Sequence, residues 1–215
     1  NVVAVSSGKG GVGKTSLTVN LAVALASNGK KVLVCDADLG LANVDITLGL
    51  KPQYDLQHVM SGERTLGEIV IEGPQGIGVI PAASGIARML ELSAAERLEM
   101  GLAFTALSER YDLVLLDTAA GIGQDVISFL AGAHHVIVVV CDEPTSLTDA
   151  YALIKVSASE RKVRRFQIVA NKVKGNAHGL QVYKKLLNAT DQFLDVNLSY
   201  LGAVPTDHRM LESIR

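Results

Sequence analysis

The run Gly8-Lys9-Gly10-Gly11-Val12-Gly13-Lys14-Thr15 constrains this chain more than any other. It satisfies G-x-x-x-x-G-K-[ST], a loop whose glycines let the backbone curl until several N–H groups converge on one anion. Such a loop works only between a strand and a helix, and the sequence supplies both. Val2-Val3-Ala4-Val5 is a short β-branched apolar run, read as a buried strand. After the loop, Leu17, Leu21, Ala24 and Leu25 recur at helical spacing, and Gly29 is a natural stop. The helix dipole adds positive charge where the N–H groups point. The phosphate-binding set is therefore Gly8, Gly10, Gly11, Val12, Gly13, Lys14, Thr15 and Ser16. Lys14 reaches the β- and γ-phosphates, and the Thr15 hydroxyl suits Mg²⁺, which prefers oxygen ligands. One loop lysine suffices to cradle phosphates, so Lys9 needs a reason of its own.

Strand-like runs recur at 32–36, 77–81, 113–117, 136–141, 166–171 and 200–205. Most are continuously apolar, the mark of strands covered on both faces in a parallel sheet. Helical segments at 15–28, 94–110, 123–133, 146–162 and 180–195 lie between them. The expectation is an α/β fold, a doubly wound, mostly parallel sheet with helices on both faces and right-handed crossovers. Ligands then bind at the C-terminal ends of the strands. The 215 residues read as a single domain, 1–215. Both ends look cut: the first residue is Asn1, and Met210 to Arg215 read as a helix stopped early.

Strand ends carry the polar residues that this geometry asks for. Asp36 ends the second strand and Asp38 follows two residues later. Leu113-Val114-Leu115-Leu116-Asp117 has the form of a strand whose aspartate holds Mg²⁺ directly or through water. Asn171 ends another strand, and Pro205 and Asp207 follow the last. Any one of these reads equally well as a turn or cap residue. Four strand ends converging on one loop do not.

Composition excludes several classes. A net charge of −2 argues against broad electrostatic binding of nucleic acid. No apolar run approaches the ~18 residues of a membrane span, and there is no signal peptide. Cys35 and Cys141 fall in predicted strands and form no CxxC, which fits small buried hydrophobes in a reducing cytoplasm.

The loop with its second lysine resembles the deviant phosphate loop of the MinD/ParA family of ATPases, with Lys9 at the signature position. Asp36-Ala37-Asp38 resembles that family's first switch, and Asp117-Thr118-Ala119-Ala120-Gly121 its second. Three segments look like the FlhG (or FleN) subfamily, the MinD-like ATPases that limit flagellar number and placement. They are 36–45, Pro81-Ala82-Ala83-Ser84-Gly85 and 141–155. The likeness runs essentially end to end. It implies an ATP-dependent homodimer with slow, Mg²⁺-dependent hydrolysis of ATP to ADP and phosphate, stimulated by dimerisation.

By the same resemblance, Lys9 reaches across the dimer to the partner's phosphates, making it catalytic together with Lys14 and Asp38, which handles the attacking water. Asp36 and Asp117 flank Mg²⁺ with Thr15. Asn171 bonds the adenine, and Pro205–Asp207 lines it. A guanine site would show N-K-x-D, but Asn171-Lys172-Val173-Lys174 carries lysine in the fourth place, so ATP is favoured. Implied partners are a flagellar transcriptional regulator and a flagellar GTPase. Implied location is the cytoplasm, with peripheral sites at the inner membrane or cell pole. Membrane contact would need a tail absent from these residues.

Alternatives stay open. A DNA-partitioning ATPase of the ParA type shares the whole nucleotide site, as does a MinD-type division-site ATPase. A reductase-type ATPase wants cysteines at a dimer face, and a small-molecule kinase leaves Lys9 without a job. The basic cluster Arg161, Lys162, Arg164 and Arg165 reads as a solvated helix end, or more sharply as a docking site. His134 and His135 read as structural or surface histidines.

Overall fold

The computed structural model describes residues 1–38, 43–81 and 93–207. The chain forms two compact units, Asn1–Val3 with Thr15–Ala119, and Ala4–Lys14 with Ala120–Arg215.

The first unit holds β2 (Val32–Ala37), β3 (Ile71–Glu72), β4 (Gly78–Ile80) and β5 (Leu113–Ala120, of which Ala120 belongs to the second unit), in the order β3-β4-β2-β5. Both β4 and β5 lie parallel to β2, and β3 runs antiparallel to β4. All six residues of β2 are buried, the apolar run Val32–Cys35 as a parallel strand requires and Asp36 with it. Helix α1 (Lys14–Ser27) continues directly from the loop. It ends where expected: Gly29, at φ 81°, donates to Ala26, and Lys30 donates to Leu25, a paired closure of the last turn. Two short helices, α2 (Val44–Leu48) and α3 (Leu56–Met60), have no counterpart in the sequence expectation. Helix α4 (Ala94–Ser108) starts on a capping box in which Ser93 and Glu96 satisfy each other's backbone N–H groups.

The second unit contains most of β1 (Val2–Ser7), then β6 (His135–Val140), β7 (Arg165–Val173) and β8 (Asn197–Pro205), in the order β1-β6-β7-β8. The β6–β7 and β7–β8 pairs are parallel. Three helices intervene: α5 (Gln124–Gly132), α6 (Pro144–Arg161) and α7 (Asn176–Phe193). The mostly parallel α/β expectation holds. Cys141, placed in a strand by sequence, lies one residue beyond β6 because its N–H goes to the Ser146 hydroxyl at 3.0 Å. Both cysteines are free thiols and buried, and burial pushes each thiol above its ordinary range. The basic cluster resolves in part as a helix end: Lys162 takes the left-handed cap position of α6, and Arg164 Nη1 donates to the Ala158 carbonyl at 2.9 Å. Among the described residues no helix is long and apolar enough to cross a membrane.

Helix α7 buries Gly179, Val182, Leu186 and Thr190, spaced along one face. Gly179 permits that approach. A Cβ there would lie 2.6 Å from both the Ala203 Cβ and the Tyr200 hydroxyl. Gly179→Ala gains helix propensity but overpacks β8, for a net loss of about 1–2 kcal/mol. The thermal midpoint should fall by roughly 2–8 °C for a chain of this size. An unchanged midpoint would mean that β8 yields freely.

Candidate functional site

In the second unit, β1 delivers the chain into the glycine loop. Each loop residue with a special conformation or contact is glycine for a visible reason. Gly11 and Gly13 have φ of 76° and 90°, in the left-handed region that disfavours side chains. Gly8 presses against α6, where a Cβ would fall 2.1 Å from the Asp149 carbonyl carbon. The Ser7 hydroxyl donates to the Lys9 carbonyl at 2.9 Å and fixes the turn.

The two loop lysines part company. Lys14, in the first turn of α1, is buried, with 7% of its surface exposed. Lys9 points outward along the same chain: its Nζ donates to Glu143 Oε2 at 2.6 Å and to Thr145 Oγ1 at 2.9 Å. The hydrogen bond to Glu143 raises the lysine's pKa, and the same bond lowers the carboxyl's. The pair sits at the surface, with Lys9 37% and Glu143 54% exposed. Glu143 and Thr145 bracket Pro144, the first residue of α6, and sequence reasoning gave neither a role.

From the other side, β7 meets the loop. Asn171 Nδ2 donates to the Val12 carbonyl at 2.7 Å, and Lys172 Nζ donates to the Gly11 carbonyl at 2.7 Å. The Cys141 thiol also reaches the Val12 carbonyl, at 3.7 Å. Asn171 pairs with Val204 across β7–β8, and Pro205 pairs with Val173. Thr206 then donates to Val173 at 3.0 Å. The residues expected around a base, Asn171 and Pro205–Asp207, thus leave adjacent strands at the same end.

In the first unit, Thr15, Asp36, Asp38 and Asp117 gather. Asp36 and Asp117 are direct partners in the β2–β5 register, and they are 3% and 0% exposed. Thr15 Oγ1 donates to Asp117 Oδ2 at 2.6 Å, and Thr18 Oγ1 to Asp117 Oδ1 at 3.2 Å. Asp36 accepts three backbone N–H groups, from Asp38 at 3.0 Å, Asn43 at 2.9 Å and Val44 at 3.1 Å. Burial lifts the Asp36 carboxyl above its ordinary value. The three N–H groups oppose that shift, and the Asp117 charge reinforces it. Asp38 is half-buried, and Ser16 is half-buried in the first turns of α1. Residues 39–42 and 82–85, in segments that carried the subfamily resemblance, lie outside the described residues.

Oxygen-only donors with two adjacent buried carboxylates suit Mg²⁺. Among the described residues no group of three His, Cys, Asp or Glu could hold a metal alone.

Comparisons with known proteins place the chain in a family. Residues 1–168 match the AAA_31 family, described as an AAA domain. The chain is 46% identical to the antiactivator FleN of Pseudomonas aeruginosa over 214 residues, covering 100% of this chain and 76% of FleN. It is 36% identical to the flagellum site-determining protein YlxH of Helicobacter pylori, covering 99% and 72% of the two. The solved structure of septum site-determining protein MinD from Pyrococcus horikoshii, complexed with Mg-ADP, superposes with a TM-score of 0.75. Identity there is 25%, over 99% of this chain and 84% of that one. Similarity at these levels, over a complete phosphate loop, makes the chain a member of the AAA_31 family and, within it, of the FleN-type MinD-like ATPases.

Proposed function

We propose that this chain is a slow ATPase switch that dimerises on ATP and limits flagellar number and placement through protein partners. The carrying observation is the division of labour between the loop lysines. Lys14 is buried, whereas Lys9 is held outside the loop by a surface ion pair. A surface ion pair is a weak tether, so Lys9 is free to move when something better presents itself. The phosphates of a nucleotide in a facing copy are such a partner. A cation supplied from outside neutralises transition-state charge and makes hydrolysis depend on association.

The other residues take roles that their positions support. The loop N–H groups and Lys14 bind the phosphates. Thr15, Asp117 and, through water, Asp36 would hold Mg²⁺, which supplies charge neutralisation on the phosphate oxygens when bound. Asp38 orients the attacking water. Asp36 also ties this chemistry to the segment after β2, because its carboxylate gathers the N–H groups of Asp38, Asn43 and Val44. A change at the metal would thus be felt along the chain surface. Asn171 and Pro205–Asp207 line the adenine. The partners are a transcriptional regulator and a flagellar GTPase, in keeping with relatives named an antiactivator and a site-determining protein. The protein acts in the cytoplasm, at the inner membrane or cell pole.

Light scattering on a sizing column tests the switch. Asp38→Ala should bind Mg·ATP without consuming it, and its mass should double only with Mg·ATP. Adding Lys9→Ala to it should abolish the doubling, and Lys9→Ala alone should lose turnover. A mass indifferent to ATP would sink the switch.

A further inference from the structure

Two neighbouring residues of β7 act on the same loop, although successive side chains of a strand point to opposite faces. Asn171 bonds the Val12 carbonyl and Lys172 the Gly11 carbonyl, each at 2.7 Å. The register explains how. Asn171 pairs with Val204 and Val173 with Pro205, so Lys172 is one residue too many and forms a bulge. Its φ is 56°, in the left-handed region that lysine seldom adopts. The Asn171 Oδ1 closes the bulge by accepting the N–H of Lys172 at 2.9 Å. Bulges re-aim side chains beside functional sites, and backbone strain gathers there too.

Peptide planarity gives the bulge a consequence. In a trans peptide the C=O and N–H point in opposite directions. Drawing the carbonyls of Gly11 and Val12 toward β7 turns the N–H groups of Val12 and Gly13 the other way, away from β7. The contact from Lys172 is charge-assisted and so stronger than a neutral one.

We propose that Lys172 is a positioning residue: without touching nucleotide, it holds the Gly11–Val12 peptide so that the loop is prearranged for phosphate. The proposal rests on the phosphate-binding reading of the loop. It also gives the Asn171-Lys172 pair a purpose unrelated to choosing between adenine and guanine. Preorganisation should appear as affinity, because it removes the cost of turning peptides on binding.

The test compares wild type with Lys172→Met, Lys172→Gly and Lys172→Arg. Calorimetry gives the Kd for Mg·ADP, and phosphate release gives KM and kcat for ATP. Lys172→Met and Lys172→Gly should each weaken Mg·ADP by about tenfold and raise KM similarly, with the loss in KM exceeding any loss in kcat. Lys172→Gly relieves the left-handed strain yet still loses affinity, which separates the ammonium from the backbone. Lys172→Arg, which can still donate to the carbonyl, should recover to within about threefold of wild type. Wild-type affinity in Lys172→Met and Lys172→Gly, or Lys172→Arg as weak as Lys172→Met, overturns the proposal. Failure of the wild type itself to bind Mg·ADP would instead overturn the loop reading beneath it.

Discussion

Gly8→Ala is expected to weaken Mg·ADP binding by at least about 100-fold, the equivalent of about 2.7 kcal/mol. The added Cβ would lie 2.1 Å from the Asp149 carbonyl carbon, 2.2 Å from its oxygen and 2.5 Å from the Ala150 nitrogen. No rotamer relieves this, because the clash involves Cβ and helix backbone. Either α6 or the loop must move. Helix α6 is anchored by Ala150, Leu153 and Ile154, all 0% exposed, so the loop is the part that yields. Overpacking of this kind costs about 1–3 kcal/mol, enough to displace a loop whose N–H groups must converge on one anion. Gly10→Ala is the control. Nothing lies within 4 Å of a Cβ at Gly10, and its φ is not left-handed. Its loss should be at least about tenfold smaller, since no backbone has to move. Calorimetry with Mg·ADP decides. Equal losses in the two variants would mean that close approach to α6 is not what Gly8 is for.

The same loop shows what a sequence can and cannot disclose. Its glycines, Lys14 and Thr15 were legible as a motif because they stand at fixed local spacing, and Asp117 because it closes an apolar run, although β5 continues past it to Ala120. Each sits next to a strand or helix that announces itself by periodicity. The grip on Lys9 was not legible, because Glu143 lies 134 residues away and reads as an ordinary helix-start acid. Lys172 was legible only as part of a departure from a guanine-binding run. A bulge exists only against a neighbouring strand, and the register with β8 cannot be read from β7. Helices α2 and α3 have five residues each, too few to establish a 3.6 period. The capping box of α3 uses Asp55 with His58 instead of the usual Glu or Gln, which conceals its start. Helix α6 begins earlier than expected because proline is at ease in a first turn.

Asp117→Asn should move stability and activity in opposite directions. Asp36 and Asp117 place two buried carboxylates side by side on parallel strands. Without a cation that arrangement costs free energy, since buried charges of one sign repel under weak screening. The Asn side chain keeps the shape, and the Thr15 and Thr18 hydroxyls can donate to its oxygen or accept from its amide. The metal-free protein should gain about 1 kcal/mol, or roughly 2–4 °C in thermal midpoint. The pH dependence gives a second readout. The Asp36 carboxyl is raised in the folded state, by burial first and by Asp117 as well. The folded protein therefore binds more protons than the unfolded one between the two pKa values. The Asp36 penalty is full above the folded pKa and fades as pH falls toward the ordinary aspartate value. Removing the Asp117 charge lowers the Asp36 pKa, so acidification should stabilise Asp117→Asn less than wild type. On the proposed role of Asp117 at Mg²⁺, hydrolysis should fall by about 100-fold or more, because a neutral amide is a poor Mg²⁺ ligand and such an ion supplies several kcal/mol of transition-state charge stabilisation. The stabilisation by Mg²⁺ with ADP should shrink in parallel. A variant that melts lower than wild type while retaining most of its turnover would place Asp117 in the fold and outside the chemistry.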